Sequence, residues 1–151
     1  MPRSKDWSRV EKLIEEQKFE EARTLCGTIR TAAQAGGNNA EWAEALIKEV
    51  QLQIGLSGYE TAVRFLRAES WPQDALSQVS LELYYAQSLM AYLDAYSWEI
   101  GRRERVDSKG TVDLKAWTRD QIFGEAQRAY ARVFARRLEL SAAPVGSLGD
   151  N

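Results

Sequence analysis

The feature that most constrains the fold is a short hinge motif that occurs twice. Residues 16–22 read Glu-Gln-Lys-Phe-Glu-Glu-Ala, and residues 55–63 read Gly-Leu-Ser-Gly-Tyr-Glu-Thr-Ala-Val. In each copy a polar break is followed by an aromatic residue, an acidic residue and a small alanine, and then by apolar residues at helical spacing. This order is typical of the turn between two paired helices. A chain that uses it twice is expected to be a stack of helical pairs.

The apolar residues recur at intervals of three and four along most of the chain, and apolar/polar alternation is nowhere sustained. Asp6 is placed to cap the first helix, Gly36-Gly37 stop the second, and Trp71-Pro72 end the fourth. The spacing predicts helices over residues 6–17, 19–36, 39–54, 59–70, about 73–105 and about 114–140. The predicted fold is therefore all-α, with about six helices and one long helix near 73–105.

The pattern within the pairs resembles the tetratricopeptide repeat, in which a tryptophan of the first helix, a Gly-Tyr hinge and an Ala-x3-large motif mark each pair. Tryptophan stands at positions 7 and 42, Gly-Tyr at 58–59, and the small and large residues at 22 and 26, 62 and 66, and 126 and 130. The first hinge departs from the pattern because Lys18 replaces the glycine, and the third hinge is expanded over residues 100–116. The resemblance implies antiparallel pairs stacked as a solenoid.

A chain of 151 residues is long enough to bury one core without disulfides or metals. We expect one domain over residues 1–140 and a flexible tail or linker over 141–151, which is rich in small residues and glycine. No run of 18 apolar residues occurs, and the first residues lack the apolar core of a signal peptide, so no membrane insertion is expected. The single cysteine, Cys26, excludes an internal disulfide and leaves the compartment open.

The residues that most enzymes need are missing. The chain has no histidine, the commonest general base and metal ligand, and no second cysteine for a zinc site. The glycines do not have the spacing of a phosphate-binding loop. The acidic cluster near the first hinge is expected to be solvated, and Cys26 falls where the repeat needs a core residue. We therefore predict no catalytic residue, no cofactor and no metal, and an enzyme remains only a third hypothesis.

Charge is distributed unevenly along the chain. The formal net charge is only −2, but residues 101–137 carry ten basic and five acidic side chains. The arginines concerned are Arg102, Arg103, Arg105, Arg128, Arg132, Arg136 and Arg137. Acidic residues are interspersed among them, and phosphate binding usually needs a concentrated positive field, so nucleic acid is not an expected partner. A docking surface for an acidic protein segment, and arginines that are solvated or in intrachain ion pairs, are the two remaining interpretations.

An aromatic stripe marks the long predicted helix. It consists of Tyr84, Tyr85, Tyr92, Tyr96 and Trp98. One interpretation is that these rings form the core between neighbouring helices. The other is that part of the stripe is an exposed groove or a subunit contact, because such rings bury a large area while their polar ends tolerate water.

Several segments also resemble the helical N-terminal region of large bacterial alpha-2-macroglobulin-like proteins. They are Gly-Tyr-Glu-Thr-Ala-Val-Arg-Phe-Leu at 58–66, Tyr-Ser-Trp-Glu-Ile at 96–100, Arg-Glu-Arg-Val at 103–106 and Asp-Leu-Lys-Ala-Trp at 113–117. The resemblance implies that the chain is a fragment of an exported, protease-trapping envelope protein, located in the periplasm or cell envelope. The reactive Cys-x-Glu-Gln motif of that family is absent, because Gly-Thr-Ile follows Cys26, and none of its roles carries over.

These observations favour a non-catalytic protein–protein interaction module. We expect the first helices of each pair to line a concave face on which a peptide, or another domain of a longer chain, docks. The predicted partner-binding residues are Trp42, Lys48, Gln51, Tyr92, Tyr96 and Arg103. The alternative is a stand-alone structural or adaptor protein that buries its aromatic stripe in a homodimer, for which a cytoplasmic location is expected.

Overall fold

The structure is a computed structural model that describes residues 5–102, 114 and 116–136. Within these residues the chain forms seven helices and no strand, which confirms the all-α fold class. The helices are α1 (Lys5–Glu15), α2 (Phe19–Gly36), α3 (Asn39–Ser57), α4 (Tyr59–Ala68), α5 (Ala75–Ala95), α6 (Ser97–Ile100) and α7 (Arg119–Ala135). The predicted tail at 141–151 and the predicted end of the last helix lie outside the described residues.

Two glycines end helices as the sequence predicts. Gly37 follows α2 with φ of +73°, and the next residue, Asn38, donates its N–H to the carbonyl of Ala33 at 2.9 Å. Gly58 separates α3 from α4 with φ of +91°. A side chain at either position would be strained, since L-residues rarely adopt this conformation. The glycines therefore fix the points at which the chain reverses direction.

The first hinge achieves the same reversal without glycine. Gln17 has φ of +62°, and Lys18 donates its backbone N–H to the carbonyl of Leu13 at 2.8 Å. This is the hydrogen-bond pattern of a helix C-cap, with a glutamine in the left-handed position that glycine usually fills. Asp6 lies inside the first turn of α1 rather than before it, because the helix already extends to Lys5.

The long predicted helix is present but is shorter at its C-terminal end. α5 ends at Ala95, and Tyr96 has φ of −120° and ψ of 23°, which interrupts the helix before the short α6. Beyond this interruption, Ile100 is buried in the same apolar cluster as Leu114. The part of the prediction that covers residues 103–105 lies outside the described residues.

The last helix begins five residues later than predicted. Thr118 caps α7: its hydroxyl accepts from the N–H of Gln121 at 3.3 Å, and the Gln121 side chain accepts from the N–H of Thr118 at 2.8 Å. This reciprocal pair is a capping box. Leu114, predicted to begin the helix, is instead a buried core residue in a turn.

Consecutive helices from α1 to α6 pack against each other, α7 packs against α5, and α3 separates two apolar clusters. The smaller cluster joins α1 and α2 to Ala45 and Leu52 of α3. The larger one joins Leu46 and Val50 of α3 to α4, α5, α6, Leu114 and α7. The close helix pairs include α1 with α2, α3 with α4, and α5 with α7. The helix α3 therefore links the front of the molecule, α1–α3, to the back, α4–α7.

Candidate docking groove between α3 and α5

A groove of about 530 Å³ lies between α3 and the N-terminal part of α5. Its apolar surface comes from Ala43 and Ile47 of α3 and from Leu76 of α5. Polar side chains complete the lining, so that the groove combines an apolar surface with several hydrogen-bonding groups. A volume of this size falls within the range of small-molecule and peptide pockets, about 300–1,000 Å³.

The start of α5, which forms one wall of the groove, is fixed by hydrogen bonds. Asp74 precedes the helix, and its carboxylate accepts a hydrogen bond from the backbone N–H of Ser77 at 3.1 Å. From within α5, Gln78 donates to the carbonyl of Pro72 at 2.6 Å, and ahead of the helix Trp71 donates its indole N–H to the carbonyl of Leu66 at 2.9 Å. These bonds fix the connection between α4 and α5, from which one wall of the groove begins.

Small side chains on α3 leave the space that the groove occupies. Ala40 and Ala43 line it one turn apart, and Ser77 and Ser80 line it from α5. Each of these residues projects little beyond the backbone, so the two helices are separated by a depression instead of by interdigitated side chains. This arrangement was not predictable residue by residue, because small residues at helical spacing also occur at close helix contacts.

Two of the predicted partner-binding residues, Lys48 and Gln51, line this groove. Gln51 is exposed and Lys48 is half-buried. Trp42 is also on α3 but is not among the groove residues. It is half-buried, and its indole Nε1 is the one buried side-chain nitrogen or oxygen atom among the described residues that has no hydrogen-bond partner. The structure therefore brings together two of the three residues predicted on this helix.

The prediction for Tyr92 does not hold in this structure, because the residue belongs to the core. Its side chain is 1% exposed, and its hydroxyl lies 3.1 Å from the carbonyl oxygen of Leu114. A ring buried between helices cannot contact a partner while the fold is intact. Tyr96 is 45% exposed, with its ring 5.1 Å from that of Tyr92. Arg103 lies outside the described residues.

A buried carboxylate lies behind the groove, on the side of α3 that packs against α2. Glu49 is 5% exposed, and its Oε2 accepts from Nε of Arg30 at 2.6 Å. The same guanidinium reaches Glu69 at 3.3 Å, from Nη1 to Oε2, and lies over the Phe65 ring. Burial raises the pKa of the Glu49 carboxyl, and the hydrogen bond from Arg30 opposes that shift. This ion pair joins α2, α3 and the end of α4.

A second buried carboxylate lies in the back of the molecule. Glu82 of α5 is 5% exposed and accepts two hydrogen bonds from Arg132 of α7, at 2.8 and 3.0 Å. Arg67 of α4 approaches the same carboxylate at 3.3 Å, with its guanidinium 4.9 Å from the Tyr85 ring centroid and 5.2 Å from that of Trp71. One carboxylate therefore ties three helices together.

The neighbouring Tyr85 extends this network. Its hydroxyl donates to Glu125 of α7 at 2.6 Å, and Glu125 also pairs with Arg128 at 3.0 Å. Burial and the adjacent carboxylate hold the pKa of the Tyr85 hydroxyl well above its usual value. Arg128 and Arg132 therefore form intrachain ion pairs, which is one of the two interpretations given for the arginine-rich region. Sequence reasoning missed both buried glutamates because a glutamate on a helix is normally exposed.

The one cysteine of the chain lies in an unreactive setting. Cys26 is fully buried, and burial raises its pKa to about 11, so the thiolate form is scarce near neutral pH.

Among the described residues, no three carboxylate or thiol side chains converge in a way that could hold a metal ion. In the same part of the chain, no helix is both long enough and apolar enough to cross a lipid bilayer.

Comparison with known proteins gives no relative from which to read a function. The chain matches no protein-family model, no curated protein and no solved structure.

Proposed function

We propose that this chain is a non-catalytic protein–protein interaction module that docks a peptide segment in the α3–α5 groove. The observation that supports the proposal is the groove itself, which combines apolar side chains with polar side chains and has the volume of a binding pocket. Both of its walls are first helices of a pair, which is where tetratricopeptide-like solenoids bind their partners. The stacking of these pairs as such a solenoid is part of the proposal.

The lining indicates what kind of peptide fits. Ala43, Ile47 and Leu76 offer an apolar surface for one or two aliphatic or aromatic side chains. Lys48 can donate to a backbone carbonyl or a carboxylate of the peptide, while Gln51 can both donate and accept. The peptide source is either a separate protein or another domain of a longer chain, as the resemblance to alpha-2-macroglobulin-like proteins implies.

Panning a random-peptide library against the full chain tests the proposal. We expect enriched peptides to share one or two apolar side chains, and their dissociation constants can be measured by calorimetry. Ala40→Trp places a large ring in the groove from an exposed position and should weaken binding by about tenfold or more. Lys48→Glu reverses the charge at the groove and should also weaken binding.

Two matched variants serve as controls. Ala91→Trp makes the same substitution at an exposed position of α5 that does not line the groove, and Lys12→Glu makes the same charge reversal on α1. Both should bind the enriched peptides as the unmodified chain does. The proposal fails if no peptide is enriched, or if Ala91→Trp weakens binding as much as Ala40→Trp does.

A further inference from the structure

The back of the molecule, α4–α7, has one more guanidinium group than its buried carboxylate requires. Glu82 is already bound by Arg132, whose Nε and Nη2 donate to its two oxygens at 2.8 and 3.0 Å. This bidentate arrangement is the strong form of an arginine–carboxylate pair. Arg67 contacts the same two oxygens through Nη1 alone, at 3.3 and 3.5 Å. Arg67 is therefore a second and weaker partner of a carboxylate that is already satisfied.

The charges around this contact do not cancel. Glu125, the neighbouring carboxylate, pairs with Arg128 at 3.0 Å. The two carboxylates, Glu82 and Glu125, are thus accompanied by three guanidinium groups, those of Arg67, Arg128 and Arg132. The excess positive charge belongs to Arg67, because each of the other two arginines has a carboxylate oxygen at 3.0 Å or closer. Excess charge of one sign attracts a partner of the opposite sign.

Two aromatic rings hold the Arg67 guanidinium in place. Its central carbon lies 4.9 Å from the ring centroid of Tyr85 and 5.2 Å from that of Trp71, within the range of cation–π contacts. The rings are themselves fixed, since Tyr85 is fully buried and the Trp71 indole N–H donates to the carbonyl of Leu66 at 2.9 Å. A partner that pairs with Arg67 therefore does not have to order a flexible side chain first.

The Nε–Nη2 edge of Arg67 has no protein acceptor among the residues that the structure describes, since the contacts with Glu82 involve Nη1. This edge is not buried, because Nε1 of Trp42 is the one buried side-chain nitrogen or oxygen atom without a partner in that part of the chain. The Arg67 side chain is 34% exposed. Arg132 uses the same edge to bind Glu82. The free edge of Arg67 therefore has the geometry to bind a second carboxylate in the same way.

We propose that the Nε–Nη2 edge of Arg67 is a docking point for an aspartate or glutamate side chain of an acidic protein segment. The excess of a single positive charge matches one carboxylate, whereas a nucleic acid needs a more concentrated positive field. The arginines of α7 contribute indirectly, because they neutralise Glu82 and Glu125 and leave Arg67 available. Arg67 does not line the α3–α5 groove, and the proposal does not depend on peptide binding there.

Nuclear magnetic resonance of the full chain labelled with nitrogen-15 tests the proposal, because the Nε–H resonance of each arginine can be followed in a titration. The probe is the peptide Gly-Glu-Glu-Gly-Glu-Glu-Gly, and the uncharged control has glutamine in place of each glutamate. We expect the Arg67 resonance to shift with the glutamate peptide and not with the control. An exposed ion pair contributes little by itself, so the expected dissociation constant is on the order of 1 mM.

Variants followed by their backbone amide shifts identify the docking residue. Arg67→Lys keeps the charge but removes the two-donor edge, and should weaken binding of the glutamate peptide by about threefold or more. Arg67→Gln also removes the charge and should weaken it by about fivefold or more. Arg9→Gln makes the same change in net charge at an exposed position of α1, and Ala40→Trp alters the groove. Both should bind the peptide as the unmodified chain does. If circular dichroism shows that Arg67→Gln does not fold, Arg67→Lys and the titration of the unmodified chain decide.

Four results would overturn the proposal. The first is an Arg67 resonance that does not shift, or that shifts equally with the glutamine peptide. The second is an equal loss of binding in Arg9→Gln and Arg67→Gln, which would show that net charge alone attracts the peptide. The third is loss of binding in Ala40→Trp, which would place the acidic peptide in the α3–α5 groove. The fourth is a single-stranded oligonucleotide or inorganic phosphate that binds at Arg67 more tightly than the glutamate peptide.

Discussion

The front and the back of the molecule each bury one glutamate, but they neutralise it differently. In the front, Glu49 has Arg30 as its close partner, and that arginine also contacts Glu69. In the back, Glu82 is contacted by two arginines, Arg132 and Arg67. The front site is thus one guanidinium shared by two carboxylates, whereas the back site is one carboxylate shared by two guanidinium groups.

This difference has energetic consequences because a buried charge is tolerated only while it is paired. An uncompensated buried carboxylate costs several kcal/mol, whereas an arginine with a partly exposed head group can turn towards water. Arg67 and Arg132 are both partly exposed at the side chain, and Arg30 is largely buried. The front of the molecule therefore depends more heavily on a single residue than the back does.

The largest expected effect comes from removing the arginine of the front site. Arg30→Met leaves Glu49 buried without its closest cation and should lower the free energy of unfolding by about 3–5 kcal/mol. Arg132→Met leaves Arg67 beside Glu82 and should cost less, about 1–3 kcal/mol. Urea unfolding followed by circular dichroism measures both values. Equal losses would show that the second arginine of the back site does not compensate.

A double variant checks the cause of that loss. Arg30→Met combined with Glu49→Met removes both charges and should recover a large part of the stability lost by Arg30→Met alone, since apolar pairs of similar volume often replace buried ion pairs without cost. If the double variant is as unstable as the single one, the loss reflects packing of Arg30 on Phe65 instead of the stranded carboxylate.

The next largest effect tests how closely Glu49 approaches α2. A Cβ atom on Gly27 would lie 2.7 Å from Oε1 of Glu49, so the carboxylate, whose other oxygen is bound by Arg30, would have to shift. Gly27→Ala should therefore cost about 1–3 kcal/mol, although alanine is the better helix former. Gly55→Ala in α3 meets no atom within 4 Å and should stabilise the protein by up to about 1 kcal/mol. A gain in both variants would contradict the tight packing of the front site.

The parts of the fold that sequence predicted well are those set by local rules. The glycines at 37 and 58, the hinge positions and the apolar stripes all act within one or two turns of a helix, and the structure agrees with them. The start of α7 at Arg119 could also have been predicted, because Thr118 and Gln121 have the spacing of a capping box. The break at Tyr96 could not be predicted from local rules, which do not reveal that Ile100 beyond it joins a core cluster with Leu114, 14 positions further along.

The candidate site was predictable only in part, for a related reason. Lys48 and Gln51 lie on the polar side of α3, and that side follows from helical periodicity. Which helix faces that side of α3 does not follow from periodicity; the groove lies where the start of α5, capped by Asp74, faces α3. For Tyr92, the prediction placed a buried residue on a binding surface. A tyrosine on a mostly apolar helix gives the same sequence pattern whether it lies in the core or at the surface.

The third prediction concerns pH and the front site. Burial raises the folded-state pKa of Glu49 above its ordinary value of 4.5, so between those two values the folded state binds more protons than the unfolded state. The stability contributed by Glu49 is thus complete below pH 4.5 and is lost as the pH rises through the folded pKa. Relative to Glu49→Gln, which cannot titrate, the unmodified chain should lose stability over this range.

Urea unfolding of both proteins at a series of pH values between about 4 and 8 checks this, over the range in which carboxyl groups with raised pKa values titrate. Other carboxylates contribute equally to both proteins, so only the difference between them is interpreted. A difference that is constant with pH, or that grows in favour of the unmodified chain as the pH rises, would show that Arg30 outweighs the effect of burial.

The smallest expected effect compares the first hinge with the second. Gln17 occupies the left-handed conformation with φ of +62°, while the second hinge has Gly58 at φ of +91°. Gln17→Gly removes the steric strain of the side chain at an exposed position, and should raise the free energy of unfolding by less than about 1 kcal/mol after the entropy of glycine is counted. The reciprocal Gly58→Gln should lower it by a larger amount, because the change introduces strain that the native hinge lacks. If Gln17→Gly is destabilising, the strain at the first hinge is smaller than its backbone conformation indicates, and the two hinges differ in sequence without differing in energy.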